Sequence, residues 1–359
     1  MSRIARFPWL FSARVDLTCF LGSAVVSWLL LAIGAGTGLL HTDAPEWTWI
    51  TTVLLVDVAH VYSTAFRVYF DRVELQRRIW LYVLAPLLSF FIGWAVHSED
   101  EPLFWRMLAY LAVFHFVRQQ YGWVALYRTR AGETSRTGRW VDSAAIYLAT
   151  LYPLAWWHAH LPRGFHWFMD QDFHPLPRLC AQILEPTYWL ALLLYAGRSL
   201  TNGLRAGRWN PGKDIVVLTT ALCWHIGIIT FNSDYAFTVT NVLIHGVPYL
   251  VLVYRSRFAQ QASGSSMNGC ITTSRWRTVF LFLATVWCLA FVEELLWDRG
   301  VWHERTWLFG AGWSNETLRG ILVPLLAVPQ LTHYILDGFI WKRRSNPDLA
   351  RTFTGIDTP

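Results

Sequence analysis

The chain has 359 residues, of which 54% are hydrophobic and only 15% charged, a balance that excludes a disordered chain and an ordinary soluble globule. Its 22 Trp and its formal charge of +6 fit the same class, because Lys and Arg fall in short clusters between apolar runs, where membrane topology and not nucleic acid accounts for them. Cys19, Cys180, Cys223, Cys270 and Cys288 are scattered with no C-x-x-C pair, which excludes a disulfide frame and a thiolate metal site.

Apolar windows of about 20 residues predict about ten transmembrane helices. They fall at 16–40, 46–70, 78–97, 103–127, 140–160, 180–198, 213–231, 234–255, 276–297 and 318–341. The first run is too long for a cleaved signal and reads as an uncleaved span. Basic residues gather in alternate connections, from Arg3, Arg6 and Arg14 at the start to Lys342, Arg343 and Arg344 near the end. That alternation places both termini in the cytoplasm, so even-numbered spans run from outside to inside. The expected fold is all-α: a polytopic membrane helical bundle in the inner (cytoplasmic) membrane, one integral-membrane domain over 1–359. Residues 256–274 read as a flexible cytoplasmic linker and 345–359 as a short solvated tail.

Four histidines sit inside four of these spans: His60, His115, His245 and His333. Each has a polar partner three or four residues away, the spacing that stacks side chains on one helix face. Asp57 precedes His60, Gln119 follows His115, Asn241 precedes His245 and Asp337 follows His333. The histidines lie 9 to 13 residues before the first basic residue on the inner side, roughly 14 to 20 Å at about 1.5 Å per residue. They share one level, on spans two, four, eight and ten.

Neutral imidazoles at one depth suit iron, copper or zinc, and the absence of nearby thiolates narrows the choice to harder or borderline metals. A ring that ligates through one nitrogen gives its other N–H to a carboxylate, amide or carbonyl. Asp57, Gln119, Asn241 and Asp337 are placed for that role or for direct ligation, and Asp57 and Asp337 are equally placed to pair with Arg67 or Arg118. His225 reaches the same level without an acidic or amide partner and reads as a core histidine. His158, His160, His166 and His174 alternate with Trp156, Trp157, Trp167 and Phe168 and read as an aromatic belt at the membrane interface. Pro248 and Pro329 lie one turn from His245 and His333, where they free backbone carbonyls.

The motifs Phe114-His115-Phe116, Ile244-His245 and His333-Tyr334-Ile335-Leu336-Asp337-Gly338-Phe339-Ile340 resemble, in that order, those of the bacterial β-carotene-cleaving dioxygenases of the Brp/Blh type. The resemblance covers only the short segments around the histidines. It implies a membrane non-haem iron enzyme, with Fe(II) on the histidines and O2 as co-substrate. Two positions depart from the family's pattern. Thr64 stands one turn after His60, where the family has Asp, and Tyr249 stands four residues after His245, where the family has a second His.

The expected function is a metal-dependent oxidoreductase of the oxygenase type. Its expected partners are the lipid bilayer and a lipophilic substrate such as a carotenoid, isoprenoid or acyl lipid, held near Phe116, Trp123 and Tyr249; an electron donor is left open. Two other classes compete. A transporter or ion-conducting protein would use a His/Asp/Arg relay at mid-depth, and a b-type cytochrome would clamp haem between paired histidines.

Overall fold

The computed structural model describes residues 7–264 and 275–342, together with Asn346 and Leu349. Among them the regular structure is all helical, with no strand. Ten long helices follow in chain order: α1 (Ala13–Thr37), α2 (Glu46–Arg67), α3 (Ile79–Glu99), α4 (Glu101–Arg130), α5 (Arg136–Ala159), α6 (Arg178–Ala206), α7 (Pro211–Thr230), α8 (Asp234–Phe258), α9 (Trp276–Trp302) and α10 (Glu316–Ile340). Eight of them, all but α4 and α5, are long and apolar enough to cross a membrane. In α4 and α5 length suffices, but Arg106, Arg118, Arg128, Arg139 and Asp142 lower the mean hydropathy.

Local chemistry sets the boundaries. The side chains of Asp100, Ser135, Asn210, Ser233 and Asn315 accept backbone N–H groups in the first turns of α4, α5, α7, α8 and α10, satisfying donors the helix itself leaves unpaired. Gly38 and Gly207 take left-handed φ values of 85° and 62° and end α1 and α6 where a side chain would be strained.

Helix α8 is the axis of the bundle: 83% of its most apolar stretch is buried, against 17% for α9 at the periphery. It packs against α1, α2, α4 and α9, while α10 packs against α2, α3 and α4. Helices α8 and α10 thus each pack against both α2 and α4, which brings the four histidine-bearing helices around one centre. Gly246 allows the closest approach, since a Cβ there would lie 2.6 Å from Val56 Cγ1 on α2.

A second polar cluster ties α4 to α7 at the end of the bundle opposite the 158–178 connection. Asp142, fully buried, meets Arg128, Arg198 Nη1 at 2.8 Å and Lys213 Nζ at 3.1 Å. Lys213 Nζ also reaches Glu133 Oε2 at 2.7 Å, and Asn210 Nδ2 donates to Glu133 Oε1 at 2.9 Å.

Two expected segments need correction. The helix that begins at Leu243 runs on to Gly264, so the first half of the expected 256–274 linker is helical; 265–274 lie outside the described residues. Within the expected solvated tail, Asn346 and Leu349 are buried. Asn346 accepts from Arg78 Nη2 at 3.0 Å and donates to the carbonyls of Phe339 and Lys342, a set of bonds that draws the chain back onto the bundle. The rest of 345–359 is outside the described residues. Of the cysteines read as packing residues, Cys19 and Cys223 are buried, Cys180 is partly buried and Cys288 is exposed; Cys270 lies outside the described residues.

Candidate metal centre

The four predicted histidines converge. His60 and His245 bring their Nε2 atoms to 3.1 Å, and His115 and His333 do the same at 3.1 Å. Ring centroids lie 4.9 Å apart for His60 and His333 and 5.1 Å apart for His115 and His245. All four are at most 4% exposed. The inward atoms are the imidazole nitrogens that metals bind, and at metal–nitrogen bonds of about 2.1 Å two ligands in cis positions stand about 3.0 Å apart. His60, His115 and His333 each offer an atom within 4.8 Å of the others, and His60 belongs to a second such group with Asp57 and His245.

Hydrogen bonding readies one ring for ligation. Tyr249 OH donates to Asp337 Oδ1 at 2.5 Å, so its single proton is committed. Thr64 Oγ1, 3.0 Å from that hydroxyl, must then donate to it and accept from His333 Nδ1 at 2.8 Å. The proton on His333 is fixed at Nδ1, which leaves the Nε2 lone pair facing the other rings. Trp341 Nε1 donates to both Tyr249 OH and Asp337 Oδ1, at 3.3 and 3.2 Å. Asp337 also stands 3.9 Å from the Nδ1 atoms of His115 and His333, so one carboxylate serves two rings.

Comparison of the chain with protein-family models, with curated proteins and with solved structures gives no match.

The other expected partners divide. Asp57 Oδ1 is 3.5 Å from His60 Nδ1, on the predicted face. Gln119 interacts with the His115 ring on its own helix, and its Nε2 donates to the backbone carbonyl of His245 at 2.7 Å, locking α4 to α8. Asn241 is the clear departure. It bonds to Thr240 Oγ1 and Phe237 O and packs where a Cβ on Gly227 would lie 2.8 Å from its Nδ2. The preceding turn, Thr238–Val242, is of the wide π type, so residues four apart no longer stack, and no hydrogen bond joins Asn241 to His245. His60 Nδ1, His245 Nδ1, Asp57 Oδ1, Gln119 Oε1 and Asn241 Oδ1 are buried with no hydrogen-bond partner among the described residues, at about 1–3 kcal/mol for each such atom.

Two cavities meet at this layer. A cleft of about 680 Å³ opens between α3, α4 and α10 and reaches His115, Gln119, Tyr249 and Asp337. Its walls include Trp123, and the apolar side chains at its mouth, among them Ile92, Phe114 and Ile335, are exposed on the outside of the bundle. A polar vestibule of about 770 Å³ reaches His60 and Asp57 from the connections before α2 and after α9. Tyr334, stacked on His115 at 4.6 Å, lines both.

Of the expected pocket residues, Trp123 and Tyr249 line the cleft and Phe116 does not. Phe116 lies face to face on His245 at 3.6 Å, because residues adjacent on a helix point about 100° apart and His115 takes the cleft side. Part of the aromatic stretch expected at the interface packs inward, while His166 and His174 are exposed. Trp157 is buried, Phe165 and Phe173 pack on it, and Trp167 meets Phe116 at 5.1 Å, so this segment covers the back of His245. His158 and His160 bond to Tyr110 OH and to helix carbonyls, and His225 packs on Tyr188 and Trp189. Arg118 donates to Tyr147 OH and lies over Tyr121, and Arg67 lies over Trp341. Thr64, Tyr334 and Trp341 complete the site beyond the expected residues; in the sequence Thr64 stands out one turn after His60 as a departure from the resembled pattern, Tyr334 lies inside the resembled motif, and Trp341 falls one turn after Asp337.

Proposed function

We propose that the protein is a membrane-embedded metalloenzyme in which His60, His115, His245 and His333 hold one divalent metal ion, and that it oxidises a lipophilic substrate. The observation that carries this reading is the convergence of four buried imidazoles with their Nε2 atoms inward and two of their Nδ1 atoms unpaired. Fe(II) and O2 are chosen on the resemblance to the Brp/Blh-type dioxygenases, and the bound metal would supply the redox activation of oxygen. The protein supplies the rest. Asp337 and Asp57 orient the rings, Thr64 and Tyr249 fix the proton on His333, and the cleft between α3, α4 and α10 admits an apolar chain sideways from lipid. A carotenoid or other isoprenoid fits such an opening, as does an acyl chain. In this reading all ten long helices span the inner membrane, with both termini in the cytoplasm.

Haem fits poorly. A porphyrin needs a flat slot between its axial rings, whereas each facing Nε2 pair here is 3.1 Å apart. A transporter remains the second reading, favoured by the two cavities that meet at Tyr334 from different sides.

Metal analysis of detergent-purified protein tests the proposal. Wild type is expected to hold one metal ion per chain without a Soret band, and His115→Ala and His333→Ala to hold none. Equal metal content in all three proteins sinks the histidine site, and metal-free wild type that drives ion flux in vesicles establishes the transporter.

A further inference from the structure

The polar vestibule has no part in binding a lipophilic substrate, and its lining has a consistent charge. Six carboxylates face it: Asp43, Asp57, Asp234, Glu293, Glu294 and Glu304. Arg305 is the one guanidinium in the wall among the described residues, and it is already paired with Glu46 and Glu304, both at 3.0 Å, and lies over the Trp49 ring at 4.0 Å. The carboxylates are graded in depth. Asp43, Asp234 and Glu304 stand at the ends of connections, Glu293 and Glu294 on the wall formed by α9, and Asp57 at the bottom beside His60.

Two of the deep groups are incompletely bonded. Glu293 is only 8% exposed; its carboxylate is engaged by Trp297 Nε1, 3.1 Å from Oε1, and by the side chain of Tyr62, while Oε2 has no hydrogen-bond partner among the described residues. Asp57 Oδ1 is likewise unpartnered and stands 3.5 Å from His60 Nδ1. A buried carboxylate oxygen with nothing to accept from is costly unless a cation visits it. Yet neither Glu293 nor Glu294 belongs to a group of three ligand residues close enough to retain an ion. Oxygen donors hold a borderline divalent metal less tightly than imidazoles do, so affinity rises along the vestibule towards the histidines.

We propose that this vestibule is the loading route for the divalent metal ion, with Glu293 and Glu294 passing it inward and Asp57 delivering it to His60. The inference rests on the metal reading of the histidine layer. A cleft lined by one sign of charge concentrates counter-ions and raises their on-rate by about 10 to 1,000-fold, an advantage that salt removes.

Cobalt(II), which absorbs visible light when bound by imidazoles, is the probe. Metal-free, full-length protein in detergent is mixed with it, and the absorbance is followed in wild type and in the double variant Glu293→Gln/Glu294→Gln. Glutamine keeps the bond from Trp297 and removes the charge. Loading is expected to slow by at least about tenfold at low ionic strength, to reach the same final stoichiometry, and to converge with wild type in high salt. Glu304→Lys, at a side chain 61% exposed at the mouth, is expected to slow loading without threatening the fold. Equal rates in all three proteins overturn the route while the metal site stands. A double variant that loses stoichiometry also overturns it, because the glutamates are then ligands. Wild type that takes up no cobalt removes the metal reading itself.

Discussion

Two buried polar clusters each join four helices, and they differ in how completely they are satisfied. Around Asp142, three cations and two carboxylates pair off, with Asn210 filling a remaining acceptor. Around His60, like groups face like groups, and five buried atoms have no hydrogen-bond partner among the described residues. The first cluster is complete as folded, so its role is to hold α4 to α7 in place. The second is left with acceptors and lone pairs that no hydrogen bond among the described residues uses. Burial of polar groups is common to both; incompleteness is what marks a site.

Breaking the complete cluster should have the largest effect on the fold. Asp142→Ala leaves Arg128, Arg198 and Lys213 around an empty place, and removing one partner of a buried ion pair costs about 3–5 kcal/mol. Thermal unfolding in detergent should show a large fall for this variant and little change for metal-free His115→Ala. A similar loss in both would erase the distinction between the clusters. Asp337→Asn acts on the other side: it keeps an acceptor for Tyr249 but loses the charge shared by two rings. Metal affinity should fall about 10–100-fold, read by competition with a chelator, with unfolding of the metal-free protein unchanged.

Smaller effects sharpen the contrast. Gly122 lines the cleft, and a Cβ added there meets nothing within 4 Å. Gly122→Leu should therefore fill the cleft, abolish energy transfer from tryptophan to a polyene probe, and leave metal content intact. Retained transfer would place the lipophilic substrate elsewhere. The last prediction concerns Glu133, on the turn between α4 and α5. Burial pushes its carboxyl up, but hydrogen bonds from Lys213 and Asn210 and the charges of Lys213 and Arg128 more than offset that, holding it below the usual 4.5. A depressed folded-state value stabilises the protein above about pH 4.5, and that contribution is lost as pH falls through the lower, folded value. Glu133→Gln should flatten the acid limb of the stability profile below 4.5; an unchanged limb would show that the cluster does not respond through this group.

Much of this was legible in the sequence because membranes write clear patterns. Apolar length and the alternation of basic residues located every long helix, and counting back from Arg72, Arg128, Arg255 and Lys342 put the four histidines at one level. What failed depended on rotation or on distant chain. Phe116 is expected at the cleft, yet it is turned about 100° from His115, onto His245. Asn241 was paired with His245 by α-helical spacing that a π turn does not keep. Thr64 is visible in the sequence as a departure from the pattern of a resembled family, and Tyr249 both as a departure and as an expected pocket residue; that they bond to each other across 185 positions is a fact of packing that no local reading contains. The burial of Asn346 and Leu349 is of the same kind.

The wide turns that precede His60 and His245, Trp49–Val58 and Thr238–Val242, make chain length itself a specification. A π turn holds one residue more than an α turn, and one residue along a helix is about 100° of rotation. Deleting Val53 alone would let the helix relax to the commoner form, keep every histidine, and swing His60 out of the layer. Insertions and deletions, harmless in most connecting loops, are in these two stretches equivalent to removing a histidine from the layer.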